Sequence, residues 1–118
     1  MDAKKPHPLG FVFKDGCISG PLKVGIMIEG ELRTTFQMRE ALLDDLLETE
    51  EVADLIKPLN FNAELMTRQL VKVGSYEGPF TVGMLRKRIK PVDWRILRAA
   101  QTELDAVGEA EPASEKDS

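Results

Sequence analysis

Few side chains in this sequence could do chemistry. One histidine, His7, stands between Pro6 and Pro8, and one cysteine, Cys17, follows Gly16. A nucleophile needs a base within hydrogen-bond reach, and a zinc site needs three or four closely grouped ligands. A lone His and a lone Cys supply neither. The glycine fingerprints that cradle dinucleotides or phosphates are missing as well. Carboxylates remain, with Glu40, Asp44, Asp45, Glu48, Glu50, Glu51 and Asp54 in one run. A pair of carboxylates can do acid–base chemistry, but acids interleaved with leucines read as the solvated face of a helix. These residues point away from an enzyme and toward a binding protein that uses no cofactor and no metal.

Composition narrows the class further. The chain has 118 residues, of which 42% are hydrophobic and 31% charged, the balance of one small globular domain. Only 6% are aromatic, so Leu, Val, Ile and Met must fill most of the core. A net charge of −4 and a pI of about 5.1 argue against a surface that seeks nucleic acid. No stretch approaches the roughly 18 apolar residues of a membrane span. No apolar segment follows Lys4 and Lys5, so a secretory signal is not expected. The lone Cys17 cannot form an internal disulfide, which fits a reducing cytoplasm.

The elements that must position any binding residues are legible as changes of period. Residues 1–10, polar and proline-rich, read as a disordered arm that includes His7. Phe11-Val12-Phe13 can open a first strand, and Asp15-Gly16 is a hairpin turn dipeptide. Leu22, Val24, Ile26 and Ile28 then alternate with Lys23, Gly25, Met27 and Glu29. After Gly30, Leu32, Thr34, Phe36 and Met38 alternate with Arg33, Thr35, Gln37 and Arg39. Two period-2 runs around one glycine predict an antiparallel hairpin. From Arg39 to Ile56 the apolar spacing becomes helical, with Leu42, Leu43, Leu46 and Leu47 on the expected core side and Lys57-Pro58 as the stop. Asn62 can cap a second helix whose stripe is Leu65, Met66, Leu70 and Val73. Thr81 can cap a brief third helix to about Arg88. Pro91 suits the first turn of a last helix carrying Val92, Ile96, Ala100, Leu104 and Val107 along one face, with Gly108 as its stop. Residues 108–118 read as a disordered acidic tail. The expected fold is α+β: an N-terminal antiparallel hairpin, with up to three or four short strands, followed by three to four amphipathic helices in a single domain over residues 11–107.

The strongest charge feature is Arg86-Lys87-Arg88-Ile89-Lys90, continued by Arg95 and Arg98. It reads as a solvated helix junction, or as a dock for an acidic protein or nucleic acid. Trp94 and Tyr76 are too few for a base-stacking surface. Met27 and Met84 belong with Met38 and Met66 either to an adaptable apolar surface or to the core, and Trp94 suits an interface anchor or a packed first turn. The residues assigned to a partner are therefore Arg86, Lys87, Arg88, Lys90, Trp94, Arg95, Arg98, Met27 and Met84. An open hairpin edge would allow pairing with a further copy of the chain, giving a homo-oligomer, or with a captured peptide, whereas the charges at Lys23, Glu29, Glu31 and Arg33 suit blocking such pairing instead.

The order of elements also resembles a known family. Gly30-Glu31-Leu32-Arg33-Thr34-Thr35-Phe36-Gln37-Met38-Arg39 leads into Leu42-Leu43-Asp44-Asp45-Leu46-Leu47-Glu48-Thr49-Glu50. Ala63-Glu64-Leu65-Met66-Thr67-Arg68-Gln69-Leu70-Val71, Phe80-Thr81-Val82-Gly83-Met84-Leu85 and Lys90-Pro91-Val92-Asp93-Trp94-Arg95-Ile96-Leu97 follow. This arrangement is similar to the small tail assembly chaperones of Mu-like and related long-tailed bacteriophages and prophages. In them a hairpin ending in arginine precedes an Asp-Leu-Leu-like helix, a middle helix and a final helix with an early aspartate. The likeness spans about residues 22–107, and Phe11 to Ile18 fall outside its pattern. It implies that Arg39, Asp45 and Asp93 are structural markers. It also implies a partner, the long tape measure protein, kept soluble by several copies while tail tube subunits assemble around it. The family acts in the host cytoplasm, is absent from the mature virion, and is often made in two lengths by frameshifting. Two other readings stay open: a small nucleic-acid-binding regulator using residues 86–98, and a structural tail component retained in the virion.

Overall fold

The computed structural model describes residues 7–53 and 56–116, with the backbone alone from residue 108 onward. Its elements run β1 (Val12–Lys14), β2 (Cys17–Ile28), β3 (Glu31–Arg39), α1 (Leu43–Val52), α2 (Pro58–Gln69), β4 (Leu70–Val73), α3 (Val82–Arg88) and α4 (Pro91–Lys116). The strands form one antiparallel sheet in the order β1-β2-β3-β4, so the fold is α+β. Both hairpin turns have two residues at positive φ, Asp15-Gly16 and Glu29-Gly30, the backbone twist that matches paired strands. No helix among the described residues is long and apolar enough to cross a membrane.

The β2–β3 hairpin departs from uninterrupted alternation. From Pro21 to Ile26 β2 takes five steps while β3 takes only two, from Arg33 to Thr35, so β2 bulges. The bulge switches the inward side of β3 only, since β2 keeps Ile18, Leu22, Ile26 and Ile28 buried throughout. Ile18, Met38 and Phe36 are buried on one side of it, and Ile26 and Arg33 on the other, while Val24, Met27 and Leu32 are exposed. In β3 Leu32 therefore faces out and Arg33 in, whereas Val24 lies within the bulge itself and is exposed. The buried guanidinium is satisfied: Nε donates to the Ile28 carbonyl at 3.2 Å, Nη1 donates to Ser75 Oγ at 2.8 Å, and Nη2 lies 3.1 Å from Glu31. Gly74 makes room for it, since a Cβ there would lie 3.0 Å from Arg33 Cδ.

Other boundaries shift for local reasons. Arg39 to Leu42 prolong β3 and its exit, so the first helix begins at Leu43. Pro58 does not mark an end but occupies the first turn of α2, where its missing N–H is unneeded, displacing the Asn62 cap. Leu70 to Val73 leave the helix and pair with β3, Phe36 facing Val73, because β3 offers their backbone a ladder. Gly108 does not stop the last helix, whose backbone continues to Lys116. One interior glycine costs only about 1 kcal/mol against alanine. The arm also shortens: His7 stacks on Phe11 at 4.5 Å and its Nε2 donates to Glu103 at 2.6 Å. The Leu9 N–H donates to Nδ1 at 2.9 Å, which fixes that tautomer. Residues 1–6 of the arm, Asp54 and Leu55 of the first expected helix, and residues 117 and 118 lie outside the described residues.

The core lies between the sheet and α4. Ile96, Leu97, Ala100 and Leu104 pack with Ile18, Ile26, Phe36 and Met38, and Met66, Val73 and Leu85 complete it. Leucines of α1 are absent from that set. α1 instead buries Asp45 and Thr49.

Candidate protein-binding surfaces

Three polar clusters set the scaffold on which any binding surface rests. The first is Asp93, fully buried in the first turn of α4. Its carboxylate accepts the backbone N–H groups of Lys23 at 2.7 Å, Val24 at 3.2 Å and Gly25 at 2.8 Å. Those are the residues of the β2 bulge, which have left the ladder and need other acceptors. Gly25 sits at φ +101° with the Arg33 carbonyl 3.0 Å from where a Cβ would be, so the bulge has no room for a side chain there.

The second cluster pins α1. Arg39 donates from Nη1 and Nη2 to the two oxygens of Asp45, both at 2.9 Å, and from Nη2 to the Arg68 carbonyl at 2.7 Å. Asp45 also accepts the Leu42 N–H at 2.7 Å, closing the first turn of the helix. Hydrogen bonds from Arg39 hold the Asp45 carboxyl below the ordinary carboxylate range, with the Leu42 N–H adding to the effect and burial opposing it. A carboxyl lowered on folding stabilises fully above its unfolded pKa of about 4, and that contribution is lost as pH falls through the folded value. Asp45→Asn should therefore cost about 1–3 kcal/mol at pH 7. The gap between variant and native chain should narrow at about pH 3. Urea denaturation at both pH values checks this, and a gap independent of pH would contradict it. The third cluster joins α2 to α4: Gln101 Nε2 donates to Gln69 Oε1 at 2.9 Å, and Gln69 Nε2 donates to the Arg39 carbonyl at 3.0 Å.

The basic stretch separates into groups with different surroundings. Arg88 donates to the Met27 carbonyl at 2.8 Å, tying α3 to the end of β2, and Arg98 donates to Gln101 Oε1 at 2.8 Å. Met84 packs against the core, whereas Met27 is exposed. Arg86, Lys87, Lys90 and Arg95 are exposed and make no ion pair or side-chain hydrogen bond among the described residues. Trp94 is half-buried, one side against the core.

Arg86 and Trp94 meet across an open apolar groove of about 360 Å³ where three helices converge. Leu59 and Ala63, one turn apart on α2, form one wall. Val82, Leu85 and Ile89 follow at helical spacing along and just beyond α3, and Pro91 and Trp94 come from the first turn of α4. Asn60 and Arg86 are the polar residues of the lining. Thr81 sets the start of α3 by accepting the Met84 N–H at 3.2 Å. Apolar walls with few polar groups are what an amphipathic helix needs from a groove.

A second apolar surface lies on α1. Leu42, Leu43, Leu46 and Leu47 are 39–69% exposed, because Arg39 and Asp45 hold the opposite side of the helix inward. Asp44, Glu48, Glu50 and Glu51 surround these leucines on the surface. Period alone cannot distinguish such a helix from a core helix, since both carry leucines at three- and four-residue spacing. The clue available in the sequence is the Arg39/Asp45 pair, which competes with the leucines for the inward side.

Comparison with family models, with curated proteins and with solved structures finds no match.

Proposed function

We propose that this chain is a protein-binding chaperone of the phage tail assembly type, which takes apolar helical segments of a tape measure protein into the groove between α2, α3 and α4. The observation that carries this reading is the groove itself: apolar walls from Leu59, Ala63, Val82, Ile89 and Trp94, with the cation Arg86 at the side. Burying such a segment removes surface that otherwise aggregates, at roughly 25 cal/mol per Å² of apolar area. Each groove is short, so one copy binds modestly, and several copies along one long chain supply the hold. The likeness of residues 22–107 to the tail assembly chaperones supplies the partner. The two arrangements that pin the helices, Arg39–Asp45 and Asp93, involve the polar residues which that likeness marks as structural.

The test is solubility. Co-expressed with the tape measure protein of its own phage or prophage, the chain should move most of that protein from inclusion bodies to the soluble fraction. A tape measure protein equally insoluble with and without it contradicts the proposal.

A further inference from the structure

The two apolar surfaces of this chain complement each other. α1 offers Leu43, Leu46 and Leu47 at helical spacing, with exposed acids around them and no basic residue in its last turn. The groove offers apolar walls, and beside it Arg86, Lys87 and Lys90 stand exposed without an ion pair among the described residues. An acidic leucine helix and an apolar groove with basic flanks match in shape class and in charge. They cannot meet within one copy. Asp45 and Thr49 are buried, and the Arg39–Asp45 pair holds α1 with its leucines turned away from its own globule.

We propose that α1 of one copy docks into the α2–α3–α4 groove of a second copy. The contact is heterologous: a copy that gives its helix keeps its groove open, and a copy that fills its groove keeps its helix free. Such contacts close into a ring, two copies being the smallest, or extend as a filament. A helix of ten residues is about 15 Å long, so each contact is smaller than a permanent interface and association depends on concentration. α1 then occupies the groove that the proposed function assigns to the partner, and a partner helix displaces it. The inference shares that groove but needs no tape measure protein, so the purified chain tests it alone.

The experiment is sedimentation velocity on the native chain and two variants at up to about 1 mM. Leu43→Glu/Leu47→Glu places charges on exposed positions and disables only the helix. Ala63→Glu places a charge in a groove wall and disables only the groove. The native chain is expected to associate with rising concentration, and each variant alone to stay monomeric, its self-association weakened at least about tenfold by the lost apolar contact and the desolvation of the introduced carboxylates. An equal mixture of the two variants is expected to form a one-to-one dimer and nothing larger, since one intact helix and one intact groove remain. If Ala63→Glu lacks the native circular dichroism, Arg86→Glu/Lys87→Glu on the exposed flank takes its place. A monomeric native chain, a variant that still associates alone, or a mixture that stays monomeric would each overturn the inference.

Discussion

Asp93→Ala should cost about 3–5 kcal/mol of folding stability, a large part of the 5–15 kcal/mol that a domain normally has. The reason is the β2 bulge. Lys23, Val24 and Gly25 point their N–H groups at this one carboxylate, and no strand stands opposite them to accept instead. Each buried N–H left without an acceptor costs about 1–3 kcal/mol. The loss also uncouples α4 from the sheet at the place where the last helix begins. Asp93→Asn should fall between alanine and the native residue, because one oxygen still accepts while the amide turns a donor toward a donor. Urea denaturation followed by circular dichroism measures all three. A loss below about 1 kcal/mol for Asp93→Ala would show that the bulge does not depend on this carboxylate.

The sheet was largely legible in the sequence, and its interruptions were not. Asp15-Gly16 and Glu29-Gly30 carry the turn chemistry, and the period-2 runs on either side of Gly30 are the two long strands. What period 2 misses is a bulge. Three extra residues in β2 reverse the inward side of β3, bringing in Arg33 and putting Leu32 outside, and only a partner strand with its own register fixes where that happens. β4 was missed for a similar reason. Leu70 and Val73 satisfy a helical stripe as well as a four-residue strand, and the vacant edge of β3 decides between them.

The candidate binding surfaces were legible only in part. Arg86 and Trp94 stand out by type, and both line the groove. Its other walls, Leu59, Ala63, Val82 and Ile89, are ordinary apolar residues far apart in sequence, and only the meeting of three helix ends makes them one surface. The leucines of α1 show the opposite failure. Their spacing fits a core helix, and the Arg39–Asp45 pair turns them outward.

The second large effect concerns the groove. Ala63→Glu leaves α2 a good helix former at that position, yet it sets a carboxylate where the proposed partner helix lies. Partner affinity should fall at least about tenfold while the fold persists, since the larger side chain takes groove space and its carboxylate must be desolvated at the contact, which costs well over 1.4 kcal/mol. Trp94, the single tryptophan, lines the same groove and reports on its filling. The most direct measurement is therefore Trp94 fluorescence of the native chain titrated with an apolar helical peptide from the proposed partner, a tape measure protein. A saturable blue shift, absent in Ala63→Glu, is the predicted result. Binding of that peptide with no change in Trp94 emission, or with equal affinity for Ala63→Glu, would contradict the assignment of the groove as the partner site.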